Sequence, residues 1–129
     1  MKVIDCTTFY SEHLMMDLRF NILNEYVDKF IVCESTISHS GKKKKLNFDI
    51  NNYPKFKDKI SYIVIDEEPY GIIGEKNGTA QPHEKRSDSL KRINLSYDHM
   101  IKATADASDD DLIILSDNDE IPNLNSEQF

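Results

Sequence analysis

The sequence predicts an α/β domain with a mostly parallel sheet of about four strands flanked by helices. Three observations carry this. Short apolar runs alternate with longer stretches of helical periodicity, in the order strand, helix, strand, loop, strand, helix, strand. The first strand–helix–strand unit has lengths that suit a right-handed crossover between parallel strands. The last run, Leu112-Ile113-Ile114-Leu115, is almost purely apolar and stops at Ser116-Asp117-Asn118-Asp119-Glu120. That is the pattern of a strand buried on both faces, with ligand groups at its carboxyl end.

Residues 2–6 read as the first strand. A helix is expected over 11–26, with Ser11 as its N-cap and Leu14, Met15, Leu18, Ile22 and Tyr26 as its apolar face. The second strand spans 29–34. Residues 35–52 are polar and hold Gly41 and a lysine run at 42–45, read as a solvated loop, with a short edge strand around Leu46 and Phe48. One helical turn is expected near Pro54 and a third strand over 60–65. Residues 66–82 contain Pro69, Gly71, Gly74, Gly78 and Pro82 and suit a mobile loop. A second helix should span 83–104 and bury Leu90, Ile93, Tyr97, Met100 and Ile101. The fourth strand, 111–115, follows, and Pro122 stops the strand soon after.

Composition narrows the function classes. The 129 residues are 39% hydrophobic and 30% charged, ordinary for one globular domain. A net charge of -7 disfavours nucleic acid as the main partner. No apolar run approaches the roughly 20 residues that span a bilayer. The N-terminus enters a strand pattern directly, without the features of a signal peptide, so a cytoplasmic location is expected. Cys6 and Cys33 lack metal-ligand spacing and read as buried hydrophobes, with no disulfide expected in a reducing compartment.

Asp117 and Asp119 are the strongest chemical signal. At a strand end both carboxylates can reach one hard cation and leave coordination positions for phosphate oxygens. Paired acids are also common in plain solvated turns. Glu120 is either a water-mediated third ligand or a helix-start acid. Glu34, at the end of the second strand, is a candidate acceptor for a ribose hydroxyl or base, or else a surface acid. Arg86 and Arg92 are candidates to meet a diphosphate, or else exposed helix charges. His13, His39, His83 and His99 are scattered without ligand spacing, and neither a phosphate-cradling glycine loop nor a nucleophile–histidine arrangement is present.

Three segments resemble glycosyltransferase family 17: Asp5-Cys6-Thr7-Thr8-Phe9-Tyr10-Ser11-Glu12 with Arg19 beyond it, Asp28-Lys29-Phe30-Ile31-Val32-Cys33-Glu34-Ser35-Thr36 followed by Ser40-Gly41-Lys42, and Leu115-Ser116-Asp117-Asn118-Asp119-Glu120-Ile121-Pro122. The resemblance implies a GT-A-like (Rossmann-like) fold, a UDP-sugar donor, a glycan acceptor and Mn²⁺ (or Mg²⁺). By that analogy Asp117 and Asp119 hold the metal, Asp117 also meeting the donor. Glu34 lies near the nucleoside, Thr7, Thr8 and Phe9 line the same crevice, and Arg92 carries over from an Arg-Asn pair whose second member here is Ile93. No residue is nominated as catalytic base.

The expected organisation is a single donor half over residues 1–129 that reads as truncated, with the acceptor half absent and an uncovered sheet suited to self-association. Two functions compete. One is a metal-dependent glycosyltransferase donor domain moving a sugar, GlcNAc by resemblance. The other is an inactive nucleotide-sugar-binding fragment or remnant. A phosphotransferase or phosphatase is weaker, because such folds commonly follow the acid ending the first strand with another two residues on, and Asp5 is followed there by Thr7.

Overall fold

The computed structural model describes residues 1–74 and 80–125. It contains β1 (Val3–Thr8), α1 (His13–Leu23), β2 (Lys29–Ser35), β3 (Ile60–Ile65), α2 (Pro82–Ala103) and β4 (Leu112–Ser116), with short 3-10 turns at Ile50–Asn52 and Lys57–Lys59. The four strands form one sheet in the order β3-β2-β1-β4. Every pairing is parallel. The α/β architecture with a parallel sheet flanked by helices is therefore present as expected. The expected loop at 66–82 lies partly outside the described residues, and Gly78 falls there.

Side chains alternate across the sheet. On one face Val3, Phe30 and Val32 pack with Met16, Phe20 and Leu23 of α1 and with Phe48, Tyr53 and Phe56. Phe20 sits at the middle of this layer, with ring centroids 4.8 Å from Phe30 and 5.1 Å from Tyr53. On the other face Ile4, Cys6, Ile31, Cys33 and Ile65 meet Met100 of α2, with Leu95 and Tyr97 at the margin. Neither described helix is long and apolar enough to cross a membrane.

The structure corrects several boundaries and faces. In α1 the expected apolar stripe points outward: Leu14 is 85% exposed, Leu18 47% and Ile22 46%. The buried side is Met16, Arg19, Phe20 and Leu23. Both sides of this helix carry apolar residues at helical spacing, so periodicity alone cannot choose between them. The choice falls to the face holding the large Phe20 ring and the one arginine that has a buried partner. Ser11 does not cap α1. Glu12 occupies the cap position, and its carboxylate accepts from the N–H groups of Tyr10 and Ser11.

β4 is not buried on both faces, because it is the edge strand. Leu112 and Ile114 face the α1 layer, but Ile113 is 38% exposed and Leu115 39%, beyond the reach of α2, which packs over β1, β2 and β3. In α2, Met100 is buried and Ile93 and Tyr97 are half-buried, whereas Leu90 and Ile101 are exposed. No strand forms at Leu46 and Phe48. The N–H groups of Asn47 and Phe48 instead donate to the Glu34 carboxylate, which satisfies the backbone that a ladder would otherwise have used.

The inverted face of α1 has a measurable consequence. Phe20→Ala is expected to lower the unfolding free energy by about 3–5 kcal/mol through lost burial and a residual cavity. Leu18→Ala, on the face the pattern favours, should change it by no more than about 0.5 kcal/mol. Urea denaturation of the two variants checks this, and similar losses in both would contradict the packing described.

Candidate functional site

The carboxyl ends of β1, β2 and β4 open into a cavity of about 680 Å³. Thr8 lines it from the end of β1, Phe9, Tyr10 and Glu12 from the residues that follow, Ser35 from β2, Ser38, His39, Ser40 and Lys44 from the following loop, Ile93, Ser96 and Tyr97 from α2, and Asp117, Asn118 and Asp119 from the loop after β4. Ligands bind at this end of a parallel α/β sheet because the connecting loops diverge there.

The acidic loop is held from beneath. Arg19, on the buried side of α1, and Asp5, in the middle of β1, form an ion pair with both side chains almost wholly buried. Arg19 Nε and Nη2 donate to the two Asp5 oxygens at 2.8 and 2.6 Å. Nη2 also donates to Ser116 Oγ at 2.6 Å, and Nη1 donates to the carbonyls of Asp117 at 3.0 Å and Glu120 at 2.8 Å. Asn118 turns inward, its amide donating to Thr8 O at 3.3 Å and to the Glu12 carboxylate at 2.8 Å. Glu120 closes the turn by accepting from Asp117 N–H at 3.1 Å. Glu120 therefore ties the loop to itself.

With the backbone and Asn118 directed inward, Asp117 and Asp119 are left exposed on the cavity wall. Among the described residues neither carboxylate accepts a hydrogen bond or joins an ion pair. No group of three or more His, Cys, Asp or Glu is assembled for a metal among those residues. Two unpaired carboxylates nevertheless fit a hard divalent cation whose remaining positions go to phosphate oxygens and water, the usual habit of Mg²⁺-type sites.

Two other ionisable groups shape the field. Burial alone would raise the Glu12 pKa, but the Tyr10, Ser11 and Glu12 N–H groups and the Asn118 amide outweigh it and hold the carboxyl below the usual range. His39 is exposed as a residue, yet enough protein surrounds its ring that burial lowers its pKa; Asp117 opposes the shift and Arg92 adds to it.

The remaining candidates are placed as follows. Thr8 and Phe9 line the cavity, but Thr7 is buried beneath it, its hydroxyl 3.4 Å from Thr8 O. Phe9 is itself buried and packs edge-on against Phe48. Glu34 is not on the wall and is no surface acid. It is 1% exposed and accepts four hydrogen bonds, from Lys44 Nζ, Asn47 N–H, Phe48 N–H and the Tyr62 hydroxyl. Arg92 is also off the wall, paired through two nitrogens with Glu68 and donating to His39 O. It pins the loop that carries His39, and a side chain at Gly41 (φ +90°) would strike its guanidinium at 2.8 Å. Arg86 is exposed. The lysine run is solvated except at Lys44, which reaches Glu34 at 2.6 Å. Both cysteines are free and buried, and burial pushes each thiol up to about 12.

The sequence did not disclose the loop-holding contacts of Asp5, Glu12, Arg19 and Asn118, nor the placing of His39 and Ser96 on the cavity wall. A charged residue inside a helical apolar stretch was the readable signal for Arg19, and an acid inside an apolar strand was the signal for Asp5. The contacts of Asn118 and His39 depend on loop geometry and leave no such trace.

The family model for glycosyltransferase family 17 matches residues 1–128. The beta-1,4-mannosyl-glycoprotein 4-beta-N-acetylglucosaminyltransferases of Rattus norvegicus and Homo sapiens are each 29% identical to the chain over 125 residues, which is 94% of this chain and 22% of theirs. The Mus musculus protein of the same name is 28% identical over the same length. The chain thus spans about a fifth of the length of these relatives. No solved structure matches it significantly.

Arg19→Met, which leaves Asp5 buried and unpaired, is expected to cost about 3–5 kcal/mol of stability. The double variant Asp5→Leu/Arg19→Met should lose less than the sum of the two single losses, measured as a denaturation cycle. Glu34 gives a pH signature. Burial works to raise its pKa, but Lys44, Tyr62 and the Asn47 and Phe48 N–H groups prevail and hold it below the ordinary 4.5. Its stabilising contribution is thus complete above that value and lost as pH falls through the folded pKa. The stability gap between wild type and Glu34→Gln should be widest near neutrality and close on acidification, as followed by thermal melts across pH.

Proposed function

The chain belongs to glycosyltransferase family 17, and from that premise we propose that its cavity is the nucleotide-sugar site of a GT-A-like donor half. The donor is a UDP-sugar, the acceptor a glycan, and Mn²⁺ or Mg²⁺ is held by Asp117 and Asp119. One observation carries this reading: two carboxylates without partners among the described residues stand on the wall of a large cavity, on a loop that six side-chain hydrogen bonds from Arg19 and Asn118 hold from behind. GlcNAc as the transferred sugar and a mannosyl-glycoprotein as the acceptor class follow the printed name of the relatives.

The metal would supply positive charge to the diphosphate as it leaves the sugar. The chain's own part is to bind and orient. Asp117 and Asp119 fix the cation relative to β4. The hydroxyls of Ser38, Ser40 and Ser96 offer neutral partners along the wall. Glu12 is already engaged by three donors and serves the loop, so it is not assigned as a base.

Calorimetric titration of UDP and UDP-GlcNAc, with and without Mn²⁺, tests the site. Binding that requires metal and is lost in Asp117→Asn/Asp119→Asn is expected. Metal-independent binding, or binding unchanged in the double variant, would defeat the reading. Metal-dependent hydrolysis of the donor would mark an active centre, and binding without any turnover would mark a nucleotide-sugar-binding module.

A further inference from the structure

We propose that Tyr10 is the platform on which the nucleobase of the donor stacks, with Lys44 and Glu34 as its support. The inference rests on the donor-site reading and adds a residue that sets which end of the nucleotide goes where.

Tyr10 lines the cavity and is 51% exposed. Its backbone is nevertheless fixed on both sides. The N–H donates to Glu12 at 2.9 Å, and the carbonyl accepts from Asn47 Nδ2 at 2.7 Å. The ring is therefore offered to solvent from a rigid base, which suits a ligand contact more than a mobile surface group. Lys44 Nζ lies 5.2 Å from the ring centroid and occupies one face. That ammonium is itself anchored, by Glu34 Oε2 at 2.6 Å and Ser35 O at 3.2 Å. Among the described residues no other ring or cation contacts Tyr10, and the proposal places the base on the opposite face.

Position and electronics favour a base over a sugar. Glu34 and Ser35 end β2, while the carboxylate pair follows β4, and β1 stands between them. At ordinary strand spacing the two ends are about 10 Å apart, which suits a diphosphate on the metal with its nucleoside extended toward β2. A cation on one face draws the ring's π electrons toward itself. The other face is then less negative, which weakens contacts with sugar C–H groups and suits a flat heteroaromatic base. Glu34, whose carboxylate does not reach the cavity, acts here as a positioning residue through Lys44.

The test is calorimetry with Mn²⁺ on wild type, Tyr10→Ala and Tyr10→Phe, using UDP and inorganic pyrophosphate as probes. Loss of one base–aromatic stack is expected to weaken UDP binding in Tyr10→Ala by roughly tenfold, to leave pyrophosphate binding unchanged, and to be restored in Tyr10→Phe. Because the side chain is exposed, the melting temperatures of the variants should match wild type. Equal UDP affinity in wild type and Tyr10→Ala overturns the inference while leaving the donor site intact. Parallel losses for UDP and pyrophosphate overturn it too, since Tyr10 would then act on the phosphates. A loss seen with UDP-GlcNAc but not with UDP would place the sugar on the ring and refute the proposal. If wild type binds no UDP with metal, the donor-site reading fails and this inference falls with it.

Discussion

The buried pair of Asp5 and Arg19 is the constraint on which the rest of the site depends. An arginine has five N–H donors in a fixed planar fork. Here all five have acceptors: two on Asp5, one on Ser116, and the carbonyls of Asp117 and Glu120. One side chain thus joins the middle of β1, the buried side of α1 and the loop after β4. Removing two charges from water is costly, and a buried pair is tolerated only when the remaining hydrogen-bonding capacity is also met. This one is met by the backbone of the acidic loop. Lysine, with a compact ammonium and no fork, could not hold the carboxylate and the loop carbonyls at once.

Acids that hold the fold together are distinct from those at the cavity wall. Asp28 accepts from Val3 N–H, Asp88 from the N–H groups of Ile73 and Gly74, and Asp111 from those of Lys2 and Ser108. Glu12 and Glu34 are likewise used up by internal donors. Each satisfies backbone groups that no ladder or helix reaches. Asp117 and Asp119 stand on a loop held by Arg19 and Asn118, and their carboxylates accept no hydrogen bond among the described residues. On the proposed reading, a loop held so firmly by its backbone would present its two unpaired carboxylates to a ligand.

The fold was largely legible because strands declare themselves by apolar runs and crossovers by length. β3 matched its apolar run residue for residue, and β1, β2 and β4 matched theirs to within two residues at either end. What failed was information that periodicity does not contain. Leu14, Leu18 and Ile22 fall on a proper helical stripe, but the choice between two apolar faces depends on partners elsewhere in the chain. The exposure of Ile113 and Leu115 follows from strand order, since the same run would be covered at the centre of the sheet. Asp117 and Asp119 were visible because an acidic pair after a strand is a local pattern. Glu34 was visible as an acid at a strand end, but its four donors come from residues 10 to 28 positions further along the chain, so its role was not.

The charge of the cavity bears on how the proposed donor site would work. Glu12, Asp117 and Asp119 bring negative charge to its wall, and the one lysine there is committed to Glu34. A bare diphosphate would meet repulsion along that wall. A bare cation would find only two carboxylates and would keep most of its water. On the proposed donor-site reading each ligand would supply what the other lacks: phosphate oxygens would complete the cation's coordination, and the cation would cancel the repulsion. Coupling of this kind is reciprocal, so whatever factor the metal adds to nucleotide affinity, the nucleotide adds to metal affinity. Among the described residues no group of three or more His, Cys, Asp or Glu is assembled for a metal. A third fixed acid would hold the cation without the nucleotide and weaken the dependence of one on the other.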